Sequence, residues 1–307
     1  MAGTVVITGG KGFVGKYLVK ELREAGWQTE VFDLPEVDIT KVDSYKDKLE
    51  EIKPAWVAHL AAISSVAKSY DEPELTRRVN VEATVDLLEA AKVASPKTKF
   101  LVVSTADVYG NVMVSPPPVR RAGLFELDLG ECQPESPYAK SKWEMEKIIV
   151  ERFIDKVIRA RPFPHIGPGQ ALGFVASDFA QQIAEIEAGR QKPVMRVGNL
   201  EAKRDFTDVR DVARAYRLLL EKGKLSEVYH VASGAAISIR ELLDKMLALS
   251  DKEILVEQAE SKLRPSDIVA LVGDATKLKK ATGWQPEIPL EQTLKDILDY
   301  WRGRVTS

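Results

Sequence analysis

Thr4-Val5-Val6-Ile7-Thr8-Gly9-Gly10-Lys11-Gly12-Phe13-Val14-Gly15 stands at the start of the chain. The β-branched apolar run Thr4–Ile7 predicts a short buried strand that ends in a glycine turn. From Phe13 to Ala25, apolar Phe13, Val14, Tyr17, Leu18, Leu22 and Ala25 recur at helical spacing, and Gly26 stops the helix. Between strand and helix, Gly9, Gly12 and Gly15 permit a tight turn, close approach of a pyrophosphate and close helix–strand packing. The helix N-terminus adds N–H donors and a positive partial charge. The order strand, glycine turn, helix predicts a dinucleotide site with Gly9, Lys11, Gly12, Phe13, Val14 and Gly15 around the cofactor.

Further along, strands are expected at Thr29–Phe32, Trp56–Leu60, Phe100–Ser104 and Val157–Arg161. Helices are expected near Lys41–Ile52, Pro73–Ala94 and Tyr138–Phe153. This alternation predicts an α/β fold with a doubly wound parallel sheet of the Rossmann type. Beyond Pro162 the alternation loosens into short strands (Val194–Val197, Arg204–Thr207, Val228–Val231, Ile254–Val256) and helices (Val209–Leu220, Ile239–Leu249, Leu290–Trp301). Residues 1–162 are therefore expected to form the dinucleotide-binding domain, and residues 163–307 mainly a smaller substrate lobe interleaved with it.

Composition limits the partners. A formal net charge of −2 over 307 residues gives no electrostatic basis for binding nucleic acid or an anionic membrane. No apolar run approaches the length of a membrane span, and no signal-peptide pattern opens the chain. The single cysteine, Cys132, excludes an intrachain disulfide. His59, His165 and His230 match no metal-ligand spacing. A cytoplasmic protein without a metal is the expectation.

Three further features point to chemistry. Asp33 ends the second strand, where a carboxylate meets the hydroxyls of an adenine ribose. This favours NAD, while Lys11 leaves room for the 2′-phosphate of NADP. Asp38-Ile39 is a candidate adenine contact. In Ser136-Pro137-Tyr138-Ala139-Lys140-Ser141-Lys142, Pro137 suits a helix start, and Tyr138 and Lys142 share one helix face. A nearby ammonium would make the tyrosine a usable proton donor. Ser104-Thr105-Ala106-Asp107-Val108-Tyr109-Gly110 follows a strand, so its hydroxyls should face the cofactor.

In order, the glycine turn, His59-Leu60-Ala61-Ala62, the Ser104–Gly110 run and Tyr138-x-x-x-Lys142 resemble the extended short-chain dehydrogenases/reductases, a family acting largely on nucleotide sugars. The likeness covers essentially the whole chain. Downstream, Arg161-Pro162-Phe163, His165–Gln170, Arg204–Asp211, Leu263–Asp267 and Ala281–Pro286 resemble the GDP-4-dehydro-6-deoxy-D-mannose reductase subgroup. The resemblance implies a catalytic trio of Thr105, Tyr138 and Lys142. It implies NAD(P) contacts from Leu60, Ala61 and Ala62 as well as the glycine turn. It implies a GDP-sugar substrate facing Thr105, Ala106 and Asp107, with its diphosphate on Arg204 and Arg264. It further implies reduction of a 4-keto sugar to a GDP-6-deoxyhexose such as GDP-D-rhamnose, and a homodimer through a four-helix interface. Val81, Val85, Leu88, Ile148 and Ile149 would serve either that interface or the core.

The same scaffold hosts 4-epimerases and 4,6-dehydratases. Relatives that dehydrate usually carry a Glu-containing acid–base pair directly after the threonine; here Ala106 and Asp107 stand there. A non-catalytic dinucleotide-binding regulator is the remote alternative. Two features depart from the family pattern: Pro164 replaces a usual Asn, and the 111–135 loop carries Pro116–Pro118 and Arg120-Arg121, the arginines being candidate substrate-phosphate ligands.

Overall fold

The computed structural model describes residues 3–113, 132–259 and 270–306. Expectations resting on Pro116–Pro118, Arg120, Arg121 and Arg264 lie outside the described residues. In chain order the first part contains β1 (Thr4–Thr8), α1 (Phe13–Glu24), β2 (Gln28–Phe32), α2 (Lys46–Ile52), β3 (Trp56–His59), α3 (Val66–Asp71), α4 (Pro73–Arg77), α5 (Ala83–Ala94), β4 (Lys99–Val103), α6 (Pro137–Arg152) and β5 (Val157–Pro162). The second part contains β6 (His165–Ile166), α7 (Val175–Glu187), β7 (Val194–Val197), β8 (Lys203–Asp205), β9 (Thr207–Asp208), α8 (Val209–Lys222), β10 (Val228–Val231), β11 (Ala236–Ser238), α9 (Ile239–Leu247), β12 (Leu255–Gln258), β13 (Ala270–Leu271), α10 (Thr276–Thr282) and α11 (Leu290–Thr306).

Six strands form one sheet in the order β2-β1-β3-β4-β5-β10, and every pairing within it is parallel. Such a sheet must be covered on both faces. One face carries Leu18 and Leu22 of α1, Val212, Tyr216 and Leu219 of α8, and Trp284. The other carries Leu87, Leu88 and Ala91 of α5 with Met145 and Ile149 of α6. The chain leaves β1 toward β2 on one side and returns through β3 on the other. That reversal opens a crevice at the carboxyl ends of β1 and β3, where ligands of open α/β sheets bind.

A second core gathers Phe179, Ala180 and Ile183 of α7, Leu242 and Met246 of α9, and Leu294, Ile297 and Leu298 of α11. Helix α7 is absent from the sequence expectations. Its N-cap residue, Phe174, offers no side-chain cap, so the usual start signal is missing. The strand expected at Arg204–Thr207 is two strands: β8 pairs with β11 and β13, and β9 pairs with β6. Between them Phe206 turns into the second core. The helix expected over Pro73–Ala94 contains a π turn at Arg78–Glu82. Val81, Leu88 and Ile149 belong to the core rather than to a free helix face, whereas Val85 and Ile148 are only partly buried.

Candidate active site

The glycine turn is shaped by close backbone approaches. Gly9 has φ +68°, a left-handed conformation, and a Cβ there would stand 2.8 Å from the Ala61 nitrogen. A Cβ on Gly15 would stand 2.1 Å from the Gly9 oxygen. Gly12 is the N-cap of α1 and has no side chain to occupy the helix end. The first-turn N–H groups and the open glycine backbone therefore fit a pyrophosphate, as read from this chain's own geometry.

Around the turn, β1 and β3 are tied at their ends. Thr8 Oγ1 accepts from the Leu60 and Ala61 N–H groups at 3.2 and 3.3 Å, fixing the Leu60-Ala61-Ala62 segment against the glycines. His59 spans the gap behind it, with Nδ1 2.7 Å from Thr8 Oγ1 and Nε2 2.8 Å from Thr84 Oγ1. Thr84 spends its own proton on the Asn80 carbonyl at 2.9 Å. His59 Nε2–H must then donate to Thr84, and Nδ1 must accept from Thr8. Burial, aided by the Lys142 charge, pushes His59 down to about 3, so it is a neutral structural imidazole.

At the end of β2, the Asp33 carboxylate accepts from the Lys11 backbone N–H at 2.8 Å and from the Leu34 N–H at 2.9 Å. Each oxygen keeps a lone pair for a ribose hydroxyl. The Lys11 ammonium does not reach into the cleft; it donates to the Leu34 carbonyl at 3.0 Å and pairs with Glu36. The Asp38 carboxylate closes a local turn on Thr40 at 2.7 Å and pairs with Lys41 at 3.4 Å. Ile39 beside it is buried.

The expected trio comes from two elements beside the cleft. Thr105 follows β4. Tyr138 and Lys142 lie on α6, which begins at Pro137 because the Ser136 hydroxyl accepts from the Ala139 N–H. All three are buried, and the Tyr138 phenol hydrogen-bonds with the Thr105 side chain. Burial and the Asp107 carboxylate raise the phenol above its ordinary value, with Thr105 acting the other way. The phenol is raised rather than acidified, and the group that lowers it is Thr105, not the expected Lys142. Lys142 donates to the Val103 carbonyl at 2.8 Å, and burial pulls its ammonium down to about 8, opposed by Glu146. Ala106 is buried and offers a methyl group only.

Several supporting residues escaped the sequence reading. Asn80, in the π turn, holds the segment after β3: Oδ1 accepts from Ile63 N–H at 2.8 Å and Nδ2 donates to Ile63 O at 3.0 Å. Nδ2 also donates to Ser141 Oγ at 3.0 Å, and Ser141 donates to the Tyr138 carbonyl at 2.7 Å. From α3, Ser69 Oγ accepts the Tyr138 N–H at 3.1 Å. Behind Lys142, Glu146 takes two hydrogen bonds from Arg161, at 2.9 and 2.8 Å. Arg161 Nη1 donates to Tyr109 Oη at 2.7 Å, and Tyr109 Oη lies 2.5 Å from His230 Nε2. Glu146 was legible as the next residue on the Tyr138–Lys142 face; Arg159 and Arg161, alternating within an apolar strand, signalled that a buried anion must meet them.

Of the remaining candidates, Phe13 stacks on His165 with centroids 6.1 Å apart, joining the glycine turn to the loop after β5. The Pro164 carbonyl accepts from Thr207 N–H at 3.0 Å, tying β9 to that loop. Arg204 lies on β8 and donates to the Lys203 carbonyl at 2.8 Å. Among the described residues, no cluster of His, Cys, Asp or Glu is placed to hold a metal ion. No described helix is long and apolar enough to cross a membrane.

Known proteins resemble this chain over its full length. The chain is 35% identical to GDP-6-deoxy-D-mannose reductase of Pseudomonas aeruginosa, with 99% of each chain covered. It superposes on the solved structure of RMD from Pseudomonas aeruginosa complexed with NADPH with a TM-score of 0.85, at 34% identity, covering 99% of this chain and 100% of that one. The UDP-glucose 4-epimerase of Thermus thermophilus, solved in complex with NAD, superposes with a TM-score of 0.83 at 27% identity, covering 98% of this chain and 99% of that one. The model of the GDP-mannose 4,6 dehydratase family matches residues 27–297. With its parallel sheet, glycine turn and Tyr138–Lys142 helix, the chain belongs to the GDP-mannose 4,6-dehydratase family, within the extended short-chain dehydrogenases/reductases.

Proposed function

We propose that this chain is a nucleotide-sugar 4-ketoreductase, reducing GDP-4-dehydro-6-deoxy-D-mannose to a GDP-6-deoxyhexose, GDP-D-rhamnose, with NAD(P)H. The observation that carries the reading is the convergence of Thr105, Tyr138 and Lys142 beside a turn built for a pyrophosphate. It is supported by full-length likeness to a reductase of that substrate class. When bound, the reduced nicotinamide supplies the hydride.

As C4 is reduced, its oxygen gathers negative charge and takes the Tyr138 proton. Burial favours the protonated phenol beforehand, which suits a donor. Thr105 orients the phenol and shares the sugar oxygen. Lys142 keeps two N–H donors after its bond to Val103, enough to hold a ribose and steady the phenolate left behind. Gly9, Lys11, Gly12, Phe13, Val14 and Gly15 surround the pyrophosphate, Asp33 takes the adenine ribose, and Asp38, Ile39, Leu60, Ala61 and Ala62 flank the adenine end. Arg204 and Arg264 clamp the substrate diphosphate, the task planar guanidinium groups perform best. Asp33 supports NADH as the preferred reductant, although the similar RMD was solved with NADPH.

A second reading is favoured by one observation. Asp107 interacts electrostatically with Tyr138, so a carboxylate is near the reacting end, and dehydration or epimerisation stays the alternative. Ala106 argues against dehydration because a methyl group moves no proton. Incubation with NADH and GDP-4-dehydro-6-deoxy-D-mannose, with the product identified by NMR, tests the assignment. Stoichiometric NADH oxidation with a new C4 carbinol proton supports reduction; dehydration of GDP-mannose with catalytic NAD overturns it. Tyr138→Phe should cut turnover by about 10²–10⁴-fold while cofactor binding persists.

Assembly and location belong to the same proposal. A cytoplasmic homodimer would pack α4, α5 and α6 against their copies, with exposed Tyr70 and Leu75 at the edge. The second core would form the substrate lobe. Light scattering behind size exclusion reads the oligomeric state directly.

A further inference from the structure

We propose that Glu36 is a specificity-determining residue, holding Lys11 away from the adenine ribose so that the site takes a 2′-hydroxyl rather than a 2′-phosphate. The inference rests on the reading of the glycine turn and Asp33 as the dinucleotide site and extends it to one ion pair.

Lys11 is the only cation within the glycine turn. Its backbone N–H is fixed on the Asp33 carboxylate at 2.8 Å, so its side chain leaves from the rim where the ribose hydroxyls would lie. Unrestrained, that ammonium is the natural partner of a 2′-phosphate. Here it is turned outward: it donates to the Leu34 carbonyl at 3.0 Å and forms an ion pair with Glu36. The Lys11 bond in turn holds the Glu36 carboxyl below its usual range, so it stays anionic at neutral pH. At this rim the Asp33 and Glu36 carboxylates hold Lys11 between them, with the Lys48 charge also acting on Glu36. A dianionic phosphate entering there would face the Asp33 and Glu36 carboxylates and would have to compete with Glu36 for the ammonium.

Both members of the pair are largely exposed, with side-chain accessibilities of 50% and 63%. The restraint is therefore modest and salt-sensitive, which suits tuning rather than absolute exclusion. Removing Glu36 should release Lys11 and subtract one negative charge together.

Calorimetric titration with ADP-ribose and 2′-phospho-ADP-ribose, probes lacking the nicotinamide, separates this from any effect on turnover. Wild-type protein is expected to bind ADP-ribose more tightly. Glu36→Gln should move the affinity ratio toward the phosphorylated probe by about 5–10-fold at low ionic strength, and Glu36→Lys by more. The shift should shrink at 0.5 M salt and disappear in Glu36→Gln/Lys11→Ala. A ratio unchanged within twofold in Glu36→Gln, or wild-type protein preferring the phosphorylated probe, overturns the role of Glu36 while leaving the dinucleotide site intact. Binding of neither probe to wild-type protein overturns the dinucleotide site itself.

Discussion

Asn80 and Ser141 meet across the boundary between the π turn and α6, with the Asn80 amide donating to the Ser141 hydroxyl at 3.0 Å. Ser141 passes the contact to the Tyr138 carbonyl at 2.7 Å, while the other bonds of Asn80 hold Ile63 beside the cofactor cleft. One buried amide thus fixes both the helix that carries the proposed proton donor and the segment following Leu60-Ala61-Ala62. π turns often occur where a helix serves a site rather than only a core.

Replacing Asn80 with Ala should therefore affect function beyond its effect on stability. It strips the Ile63 N–H and C=O of their buried partners, a loss of about 2–4 kcal/mol. A thermal melt should register that loss, and kcat should fall by about tenfold or more at a temperature where the variant is fully folded. Full kcat in a destabilised variant would reduce Asn80 to a structural role.

The pair formed by Glu146 and Arg161 sets the charge behind Lys142. Glu146 favours the Lys142 ammonium against the pull of burial. In the free enzyme, the alkaline limb of kcat/KM is expected near the Lys142 value of about 8. Glu146→Gln removes the favourable charge, so the limb should move to lower pH. It also leaves Arg161 buried without its anion, at a cost of about 3–5 kcal/mol. Arg161→Met with Glu146→Gln should recover part of the stability but not the position of the limb.

Acid should weaken the fold through two histidines. His59 is pushed down to about 3 and His230 to about 4, both first by burial. Their folded values lie below the unfolded value of about 6.5, so the unfolded chain binds more protons between those limits. Stability present above pH 6.5 is therefore lost as pH falls through about 6.5 toward about 4. Urea unfolding midpoints should decline across that window, and His230→Gln should flatten the decline.

The proposed function assigns Arg204 and Arg264 to the substrate alone. Arg204→Ala or Arg264→Ala should raise the KM for the GDP-sugar by about tenfold or more, consistent with losing about 1.5–3 kcal/mol of a charged hydrogen bond. The dissociation constant for NADH should not move in either variant. A parallel loss of both affinities would place these arginines outside the proposed diphosphate clamp.

Much of this protein is legible in one dimension. The run Thr4–Gly15 determines a strand, a turn and a helix because apolar periodicity and glycine geometry are local properties. Tyr138 and Lys142 share a face because helical spacing requires it. Asp33 ends β2 for an equally local reason, since the apolar strand pattern stops there. The helix α7 was not legible, because it lacks a cap and is stabilised by packing against α9 and α11. Nor were the partners of the charged groups. That Lys11 pairs with Glu36, that Lys142 rests on the Val103 carbonyl and that Glu146 answers Arg161 depend on residues brought together from separate elements. Sequence spacing determined which chemical groups the site holds. Tertiary packing decided which remain charged and where each is aimed, because burial and neighbouring charges act through distance in space, not along the chain.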